Sequence, residues 1–545
     1  MDELEEGYAI GLDLGNTYSC IGVYRNGGVE IIPNRNGDKT TPSIVTIINK
    51  YIILTGEDTL DNLVKDYDSS IYAIKRFIGR KYEEIKNEIS KENLPFEIVP
   101  DRKGKYPLVL IYKNNQKIEF TLEEISSFII RKMVKNAEIF LNKKVNKLVI
   151  TVPAYFNDAQ RNCTKLAAQL AGVEVLRIIN EPTAAALAYG LETVNKDTPN
   201  DKEKKILIFD LGGKTFNVTI LKISQREEKN FDILSAKEDK FLGGEDFDNK
   251  LAYYILEKFC QKMKLSREEI IKERKLIRKL KIYCENIKRV LSSSDDTTLY
   301  IKNFYKNNDI SEVITRTEFE NQYSDIFDKL KKPIEDALID AKLTKEQIKE
   351  IVLAGGSSRI PKVKTFLQEF FNIKPYKRGQ DINGRIIYDL INPDEAVVYG
   401  ATLMAARILK KNIIKDNINF GFGFMDIVPL SLGINVKNKS INPEIRKEGD
   451  LMSIIIKRGT KVPCTYIKTF NTSYDNQTGL VILIYEGEHK YTKYNHLLGR
   501  IELRNIPKKK KDEIKIEVTF FIDVYGKLTV TAVEQSTGKT IETKI

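Results

Sequence analysis

The sequence predicts an α/β region made of two related halves, followed by a region of β-strands alone. Two distant stretches, 8–23 and 205–220, share one pattern: an apolar strand, Asp-Leu-Gly, a short polar tip containing Thr, and a second strand. Strand, helix and strand alternate between these stretches, which is typical of α/β folds. Beyond residue 425 helical periodicity disappears and apolar residues alternate, so the last region is predicted to be a compact β-domain.

Length and charge limit the classes of protein to which the chain can belong. At 545 residues it is too long for one hydrophobic core, so several domains are expected. Its 42% hydrophobic and 30% charged residues are an ordinary globular composition. The net charge is +12, but the basic residues are spread among nearly as many acids, and we expect no nucleic-acid partner.

The numbers of cysteines and histidines and the length of the apolar runs limit the class of protein further. Histidine catalysis and zinc sites are nearly excluded, because His489 and His496 are the only histidines. The N-terminus is acidic, unlike a signal peptide, and apolar runs of about 18 residues are absent from the sequence. We therefore expect a cytoplasmic chain without membrane association. Five cysteines without a C-x-x-C pair indicate reduced thiols: Cys20, Cys163, Cys260, Cys284 and Cys464.

The two repeated hairpins are candidate phosphate-binding loops. At the tip of the second hairpin, backbone N–H groups supply an anion site, Thr215 a hydroxyl and Asp210 a route to a metal ion. The alternative is that the glycines serve only the turn. Asp13 and Thr17 take the same places in the first hairpin. We therefore expect two halves that face each other across a cleft with a polyphosphate between them.

Capping signals and periodicity predict the helices of the first half. Thr121 and Glu124 form a capping box that opens an amphipathic helix to about Asn142. Residues 73–80 are also expected to be helical, and a lysine such as Lys75 there usually lies on a solvated face.

An alanine-rich helix begins at the sequence 180–186. Pro182 takes its first turn, and Glu181 lies just outside it. The Glu181 carboxylate either hydrogen-bonds to the free amides of the helix start or faces the cleft.

Polar residues recur on one face of a helix in the second half. Glu285, Lys288, Arg289 and Ser292 stand at i, i+3, i+4 and i+7. Such a face is either an exposed, self-paired surface or a contact face for a base and a ribose. Residues 351–361 then give a strand, a double glycine and a helix start, where backbone can approach a flat ring closely.

Six short motifs occur in the order in which one protein family carries them. Together they closely resemble the signatures of the seventy-kilodalton heat-shock chaperone family, and the resemblance covers essentially the whole chain. Each motif is modest alone, whereas chance agreement of the ordered set is negligible. The motifs are Asp-Leu-Gly at 13–15, Asn-Glu-Pro-Thr-Ala-Ala-Ala at 180–186, Phe-Asp-Leu-Gly-Gly at 209–213, Gly-Gly-Glu-Asp-Phe-Asp at 243–248, Asn-Pro-Asp-Glu-Ala-Val at 392–397 and Pro-Leu-Ser-Leu-Gly at 429–433.

The resemblance implies an α/β actin-like ATPase domain, duplicated and ribonuclease H-like, over 1–411, an interdomain linker over 412–425 and an all-β peptide-binding sandwich over 426–545. The implied ligands are ATP or ADP with Mg²⁺, and a potassium ion beside them. The implied partners are unfolded or extended apolar peptides, J-domain co-chaperones and nucleotide-exchange factors. The family's helical lid has no counterpart in the sequence, and without a lid we expect fast peptide exchange.

The resemblance also implies roles for single residues. Asp13, Asp210 and Glu181 would hold the magnesium ion and its waters, and Lys75 would position the attacking water. The other implied ATP contacts are Gly15, Asn16, Thr17, Tyr18, Gly212, Gly213, Lys214, Thr215, Gly243, Gly244, Glu285, Lys288, Arg289, Ser292, Gly355, Gly356, Ser357, Arg359 and Asp394.

Two further groups of residues follow from the resemblance. An interdomain relay is implied for Pro153, Arg161, Arg177 and Asp426. A second group matches the lining of the family's peptide cleft, although its members are equally expected to be core residues of a sandwich. These residues are Ile434, Val436, Phe470, Leu480, Ile482 and Ile516.

The phosphate loops depart from the family pattern at three positions. Lys214 replaces a third glycine, Asn217 replaces an acid and Asn16 replaces a threonine. Loss of the acid at 217 removes a charge that helps to orient water or metal. We expect ATP binding to be retained and hydrolysis to be slowed, with Lys214 partly neutralising phosphate charge.

Four functions compete at this point. The first is an ATP-regulated, peptide-binding chaperone, and the second is a nucleotide-binding co-chaperone or regulator with little turnover. A sugar or carboxylate kinase and a filament-forming protein share the same actin-like fold. The β-domain argues against the last two, which have no need for an apolar cleft.

Overall fold

The computed structural model describes residues 8–545 apart from 93, 114, 193–202, 226–228, 374–385, 389–390, 410–427, 429, 439–446, 461 and 524–526. The predicted linker over 412–425 and Asp426 lie outside the described residues. The chain divides into two units. Unit 1 holds the described residues within Met1–Pro153, Gln160–Leu221 and Ser235–Asn419; unit 2 holds those within Ala154–Ala159, Lys222–Leu234 and Phe420–Ile545.

The first half of the α/β region begins with a hairpin and ends with a helix. Its strands are β1 Ala9–Asp13, β2 Tyr18–Arg25, β3 Gly28–Ile31, β4 Thr41–Pro42, β5 Ile44–Ile47, β6 Ile53–Thr55, β7 Ser70–Tyr72, β8 Glu97–Pro100, β9 Pro107–Lys113, β10 Gln116–Thr121, β11 Lys147–Val152 and β12 Glu174–Asn180. Its helices are α1 Tyr82–Lys91, α2 Leu122–Leu141, α3 Asp158–Leu170 and α4 Glu181–Glu192.

The second half again begins with a hairpin and ends with a helix. Its strands are β13 Glu203–Leu211, β14 Phe216–Gln225, β15 Lys229–Asp239, β16 Asp296–Tyr305, β17 Asn308–Thr315, β18 Glu350–Ala354 and β19 Ile386–Tyr388. Its helices are α5 Gly244–Met263, α6 Arg267–Lys272, α7 Arg274–Leu291, α8 Arg316–Asn321, α9 Ser324–Asp340, α10 Pro361–Phe370 and α11 Ala396–Leu409.

The main sheets of the two halves have the same order. The first runs β12-β11-β1-β2-β3, with β4 also paired to β2, and the second runs β19-β18-β13-β14-β15. In each sheet the first strand of the hairpin pairs in parallel with a later strand, β1 with β11 and β13 with β18. The predicted duplicated α/β architecture is therefore confirmed.

Helix α11, from the second half, packs on the main sheet of the first half. Glycine is needed where the helix crosses β1 and β2, because a Cβ atom at Gly11 would lie 2.2 Å from the backbone nitrogen of Thr402. The same holds where α11 meets α4, since a Cβ atom at Gly400 would lie 1.7 Å from the Ala184 carbonyl oxygen. These contacts join the two halves in one core.

The predicted capping box at Thr121 is confirmed, and the predicted helix over 73–80 is wrong. Thr121 caps α2 through the predicted box with Glu124, and Asn142 ends that helix in the left-handed region. Residues 73–80 instead form turns, with positive φ values of 58° at Ala73 and 71° at Gly79. That backbone cannot continue as an α-helix, and it buries Lys75 instead of exposing it to solvent.

The β-region of unit 2 consists of two four-stranded sheets around one core. The sheets run β21-β20-β23-β24 and β22-β25-β26-β27. No helix in the described part of the chain is long and apolar enough to cross a membrane. The strands are β20 Leu432–Val436, β21 Leu451–Ile456, β22 Cys464–Asn471, β23 Gly479–Glu486, β24 His496–Arg504, β25 Lys515–Ile522, β26 Leu528–Glu534 and β27 Lys539–Lys544.

Candidate active site

A cavity of about 1050 Å³ lies in unit 1, and residues at the tips of both repeated hairpins line it. The two hairpins and helix α7 contribute much of its wall. Gly243 and Gly244 support the second hairpin from behind. Twenty-two residues singled out from the sequence line the cavity: Asp13, Gly15, Asn16, Thr17, Tyr18, Lys75, Pro153, Glu181, Asp210, Gly212, Gly213, Lys214, Thr215, Glu285, Lys288, Arg289, Ser292, Gly355, Gly356, Ser357, Arg359 and Asp394.

Asp13, Glu181, Asp210 and Lys75 are among the charged residues that line the cavity. Lys75 forms a buried ion pair with Glu181, so Glu181 faces the cleft. Asp13 accepts a hydrogen bond of 2.7 Å from the Thr151 hydroxyl, and Asp210 accepts one of 3.3 Å from the Asn217 amide. Besides the effect of burial, the Lys75 ammonium lowers the pKa of both aspartates and the Glu181 carboxylate raises it, so these four groups interact electrostatically.

Burial raises the pKa of both aspartates on this wall. Desolvation raises the pKa of Asp13 to about 6, against the lowering effect of the Lys75 ammonium. Desolvation and the negative charge of Glu181 raise the pKa of Asp210 to about 7, although the Asn217 amide opposes this. No three acidic, histidine or cysteine side chains among the described residues converge closely enough to bind a metal directly.

The first hairpin carries buried polar atoms at its tip. Asn16 Oδ1 and Thr17 Oγ1 are buried without a hydrogen-bond partner among the residues that the structure describes. An unpaired buried polar atom costs about 1–3 kcal/mol of stability. Both residues line the cavity, so a ligand with complementary polar groups, such as a phosphate with its metal ion, fits this position.

The second hairpin is held from behind by the start of α5. The Gly212 carbonyl accepts bonds from the Gly244 N–H at 2.9 Å and the Ser357 hydroxyl at 3.0 Å. A Cβ atom at Gly213 would lie 2.3 Å from Thr17 Oγ1, so the tips of the two hairpins touch each other. Glycine at 213 therefore permits the close approach of the two loops.

The Lys214 ammonium is directed to carboxylates. Its Nζ lies 3.1 Å from Glu245 Oε2 and 3.6 Å from Glu92 Oε2. Sequence reasoning missed Glu92, because no local pattern links it to the hairpin. It also passed over Glu245, which lies within the noted motif at 243–248.

The polar face of α7 lines the cavity, and its side chains differ in role. The Tyr18 hydroxyl donates to Glu285 Oε1 at 2.6 Å, and the Arg289 guanidinium lies 4.6 Å from the Tyr18 ring centroid. Lys288 is only 8% exposed; it donates to Asp248 at 2.7 Å and to the Gly244 carbonyl at 2.8 Å. Lys288 therefore positions α5 instead of presenting a free ammonium group.

Backbone and an acid close the other wall of the cavity. Gly355 has a φ of 74°, and a Cβ atom there would lie 2.4 Å from the Leu211 carbonyl oxygen. Arg359 donates to Asp394 at 3.1 Å. The backbone at 355–356 thus comes close to the strand that carries Asp210; its approach to a flat ring stays a prediction.

Two of the described relay residues lie near the same end of the β11–β12 pair, because Val152, which precedes Pro153, is opposite Asn180, the residue that Arg161 contacts. Pro153 is buried at the end of β11, and Arg161 donates to Asn180 Oδ1 at 2.7 Å. Arg177 lies on β12 opposite Val149 of β11. Their role in communication between domains stays a prediction.

The residues predicted to bind peptide belong to the β-region of unit 2. Ile434, Ile482 and Ile516 are buried in its core, and Phe470 and Leu480 pack partly buried against that core. Val436 is half-buried at the end of β20. These positions are compatible with both alternatives, a cleft lining and a sandwich core.

Comparisons with known proteins agree with this architecture. The model of the Hsp70 protein family matches residues 9–545. Heat shock 70 kDa protein 2 of Paracoccidioides lutzii is 41% identical over 532 residues, which cover 98% of this chain and 76% of that protein. Heat shock cognate 70 kDa protein 3 of Dictyostelium discoideum is 41% identical over 533 residues, covering 97% of this chain and 79% of that protein. The chain therefore belongs to the Hsp70 family.

Proposed function

We propose that this chain is an ATP-dependent molecular chaperone that binds extended apolar segments of unfolded proteins. Hsp70 proteins in general bind nucleotide with Mg²⁺, unfolded peptides and co-chaperones. The observation that carries the proposal is a pair of buried atoms, Asn16 Oδ1 and Thr17 Oγ1, that lack a hydrogen-bond partner among the described residues. Their residues line the cavity together with the carboxylates of Asp13, Glu181 and Asp210. A magnesium–triphosphate group supplies the charges and hydrogen bonds that this set of residues needs.

Each group of cavity residues has a part in ATP binding. The tips Gly15–Thr17 and Gly212–Thr215 hold phosphates through backbone N–H groups and threonine hydroxyls. Asp13, Glu181 and Asp210 would hold Mg²⁺ and its waters, and a potassium ion would be a second bound cation. The metal supplies positive charge against the phosphate oxygens when bound. Tyr18, Glu285 and Arg289 bind the adenosine on the face of α7.

Hydrolysis in this site depends on positioning and on charge stabilisation. Water attacks the γ-phosphorus, the bond to the bridging oxygen breaks, and ADP and phosphate leave. Lys75 orients the water and stabilises the charge that develops on the γ-phosphoryl group. The ion pair with Glu181 holds the Lys75 ammonium at the cavity wall.

We further propose that hydrolysis is slow because of Asn217. Its amide donates to Asp210, whereas the acid that the family carries there would add a negative charge beside the metal. The Lys214 ammonium has Glu245 and Glu92 as neighbours, so we assign it little neutralisation of phosphate charge, unlike the sequence-based expectation. Asn217→Asp should therefore accelerate hydrolysis by about tenfold. This is the lower end of the effects seen when a residue that hydrogen-bonds to a metal ligand is changed.

Single-turnover hydrolysis of ATP by the purified chain tests this proposal. Asn217→Asp should raise the rate and Lys75→Met should nearly abolish it, while ATP affinity changes little in either variant. Lys331→Met is a matched control, because its exposed pair with Asp328 lies on α9, away from the cavity. A wild-type rate unchanged by Lys75→Met would contradict the proposed site.

The β-region would hold the peptide through main-chain hydrogen bonds and an apolar pocket. The test is release of a fluorescent apolar peptide, which ATP should accelerate. If ATP accelerates peptide release and a hydrolysis-resistant analogue does not, release depends on ATP hydrolysis. If ATP has no effect on release, the second candidate, a nucleotide-binding co-chaperone or regulator with little turnover, is favoured, and Asn217 already points in that direction.

We place this activity in the cytoplasm, together with J-domain and nucleotide-exchange partners. All five cysteines are free, which supports a reducing compartment. Fractionation of the native protein, with detection in the cytosolic or an organellar fraction, tests the placement.

A further inference from the structure

Lys214 lies at the tip of the second hairpin and reaches residues from both halves of unit 1. Glu245, 3.1 Å from its ammonium, is in the first turn of α5 in the second half. Glu92, 3.6 Å away, follows α1 in the first half. One side chain thus joins elements that lie on opposite sides of the duplication.

An aromatic ring adds a second connection at the same place. Tyr72, at the end of β7 in the first half, has the Lys214 ammonium 5.5 Å from its ring centroid. The Arg278 guanidinium of α7, from the second half, lies 4.9 Å from the same centroid. Cations over a tyrosine face contribute about 0.5–2 kcal/mol each, depending on how far they are desolvated.

These ion pairs are more buried than an ordinary surface pair. The side chain of Lys214 is 13% exposed, that of Glu92 is 15% exposed and that of Glu245 is 32% exposed. Glu92 also pairs with the buried Arg76, which fixes the carboxylate in place. Pairs that are partly withdrawn from water are screened by salt less than exposed ones are.

The connected residues stand at the wall of the nucleotide cavity. Tyr72, Glu92, Lys214, Glu245 and Arg278 all line it. Separation of the two halves at this wall would break the contacts of Lys214 with Glu92 and Tyr72.

We infer that Lys214, Glu92, Glu245 and Tyr72 form a latch between the two halves, and that this latch slows the release of nucleotide from the cavity. The inference rests on the proposed binding of ATP and ADP there. It gives Lys214 a role in the exchange of nucleotide and not in its hydrolysis. A glycine at 214 has no side chain and cannot form the latch.

The test is the dissociation rate of a fluorescent ADP, measured by stopped-flow displacement with excess unlabelled ADP. Lys214→Met should accelerate release by about tenfold, which corresponds to 1.4 kcal/mol. Glu92→Gln should also accelerate it, and the double variant should be no faster than the faster single variant, because both remove one contact. Lys331→Met, which removes a paired lysine on α9, should release ADP at the wild-type rate.

Amide hydrogen exchange of the ligand-free chain tests the latch without nucleotide. Lys214→Met should reduce protection at 70–72 and at the second hairpin, and Lys331→Met should not. Failure of the wild-type chain to bind ADP would refute the proposed function, and hydrogen exchange would then decide on the latch alone. The inference would be overturned if Lys214→Met released ADP at the wild-type rate, or if its protection at 70–72 equalled that of wild type.

Discussion

The two repeated hairpins share the order of strand, polar tip and strand, but they differ in whether polar side chains at the tip are paired within the protein. In the first, Asn16 Oδ1 and Thr17 Oγ1 are buried without partners in the described part of the chain. In the second, the Lys214 ammonium pairs with Glu245 and Glu92, and the Asn217 amide donates to Asp210. In the first hairpin these two polar atoms are left for a ligand, whereas in the second the side chains of Lys214 and Asn217 are used within the protein.

This difference shows how a duplicated loop can divide two tasks. Ligand binding needs polar atoms that are positioned but unpaired, which costs stability while the site is empty. Closure of a cleft needs side chains that pair across it, which is incompatible with pointing them at phosphate. Because the unpaired atoms stand in one copy of the loop and the paired Lys214 stands in the other, no side chain has to serve both tasks.

The largest expected effect comes from the matched glycines after each Asp-Leu. A Cβ atom at Gly15 would lie 2.0 Å from the Tyr18 carbonyl oxygen, whereas one at Gly212 would lie 3.4 Å from that of Thr215. Gly15→Ala should therefore destabilise unit 1 by about 3 kcal/mol, and Gly212→Ala by less than about 1 kcal/mol. Urea unfolding of the two variants measures this difference. Equal losses of unfolding free energy would show that the two hairpin tips leave equal room for a Cβ atom.

Thr17→Val separates binding from stability in the first hairpin. Removal of a buried, unpartnered hydroxyl should leave the ligand-free stability unchanged or higher, while ATP affinity falls by about tenfold. Thr17→Ser keeps the hydroxyl and is the control that should bind ATP normally. Calorimetric titration measures the ATP affinity, and thermal unfolding without ATP measures the stability. Loss of stability in Thr17→Val would show that the hydroxyl is paired within the protein.

The smallest expected effect concerns acid stability at the second hairpin. Burial raises the pKa of Glu245, but the charges of Lys214 and Arg278 outweigh this and hold it below its ordinary value. A lowered pKa contributes stability that is present above about pH 4.5 and is lost as the pH falls through the folded-state pKa. Lys214→Met should reduce this contribution, by less than about 1 kcal/mol.

Unfolding midpoints of the ligand-free chain between pH 3 and 7 measure that slope. Lys214→Met should unfold with a flatter pH dependence at the acid end than wild type, and Lys331→Met should not differ from wild type. An identical slope in Lys214→Met would show that Lys214 does not set the Glu245 pKa.

The sequence was informative where the signal is local. The hairpins, the capping box at Thr121 and the α7 face depend on residues within a few positions of each other, and the structure has each of them. Residues 73–80 were wrongly expected to be helical, because helix propensity does not reveal that Ala73 takes a left-handed backbone. The partners of Lys214 were also missed: Tyr72 and Glu92 are more than 100 residues away, and only the packed unit brings them near.

The seat of α11 on the first sheet has a consequence for the chain during its synthesis. The first half ends at α4, but the sheet surface that Thr402 covers at Gly11 stays uncovered until residues 396–409 have been synthesised. At about 5–20 residues per second, the ribosome needs roughly 10–40 s to make the intervening 200 or so residues. During that interval the nascent first half exposes an apolar sheet face, so this chaperone is, while it is being made, the kind of chain that chaperones bind.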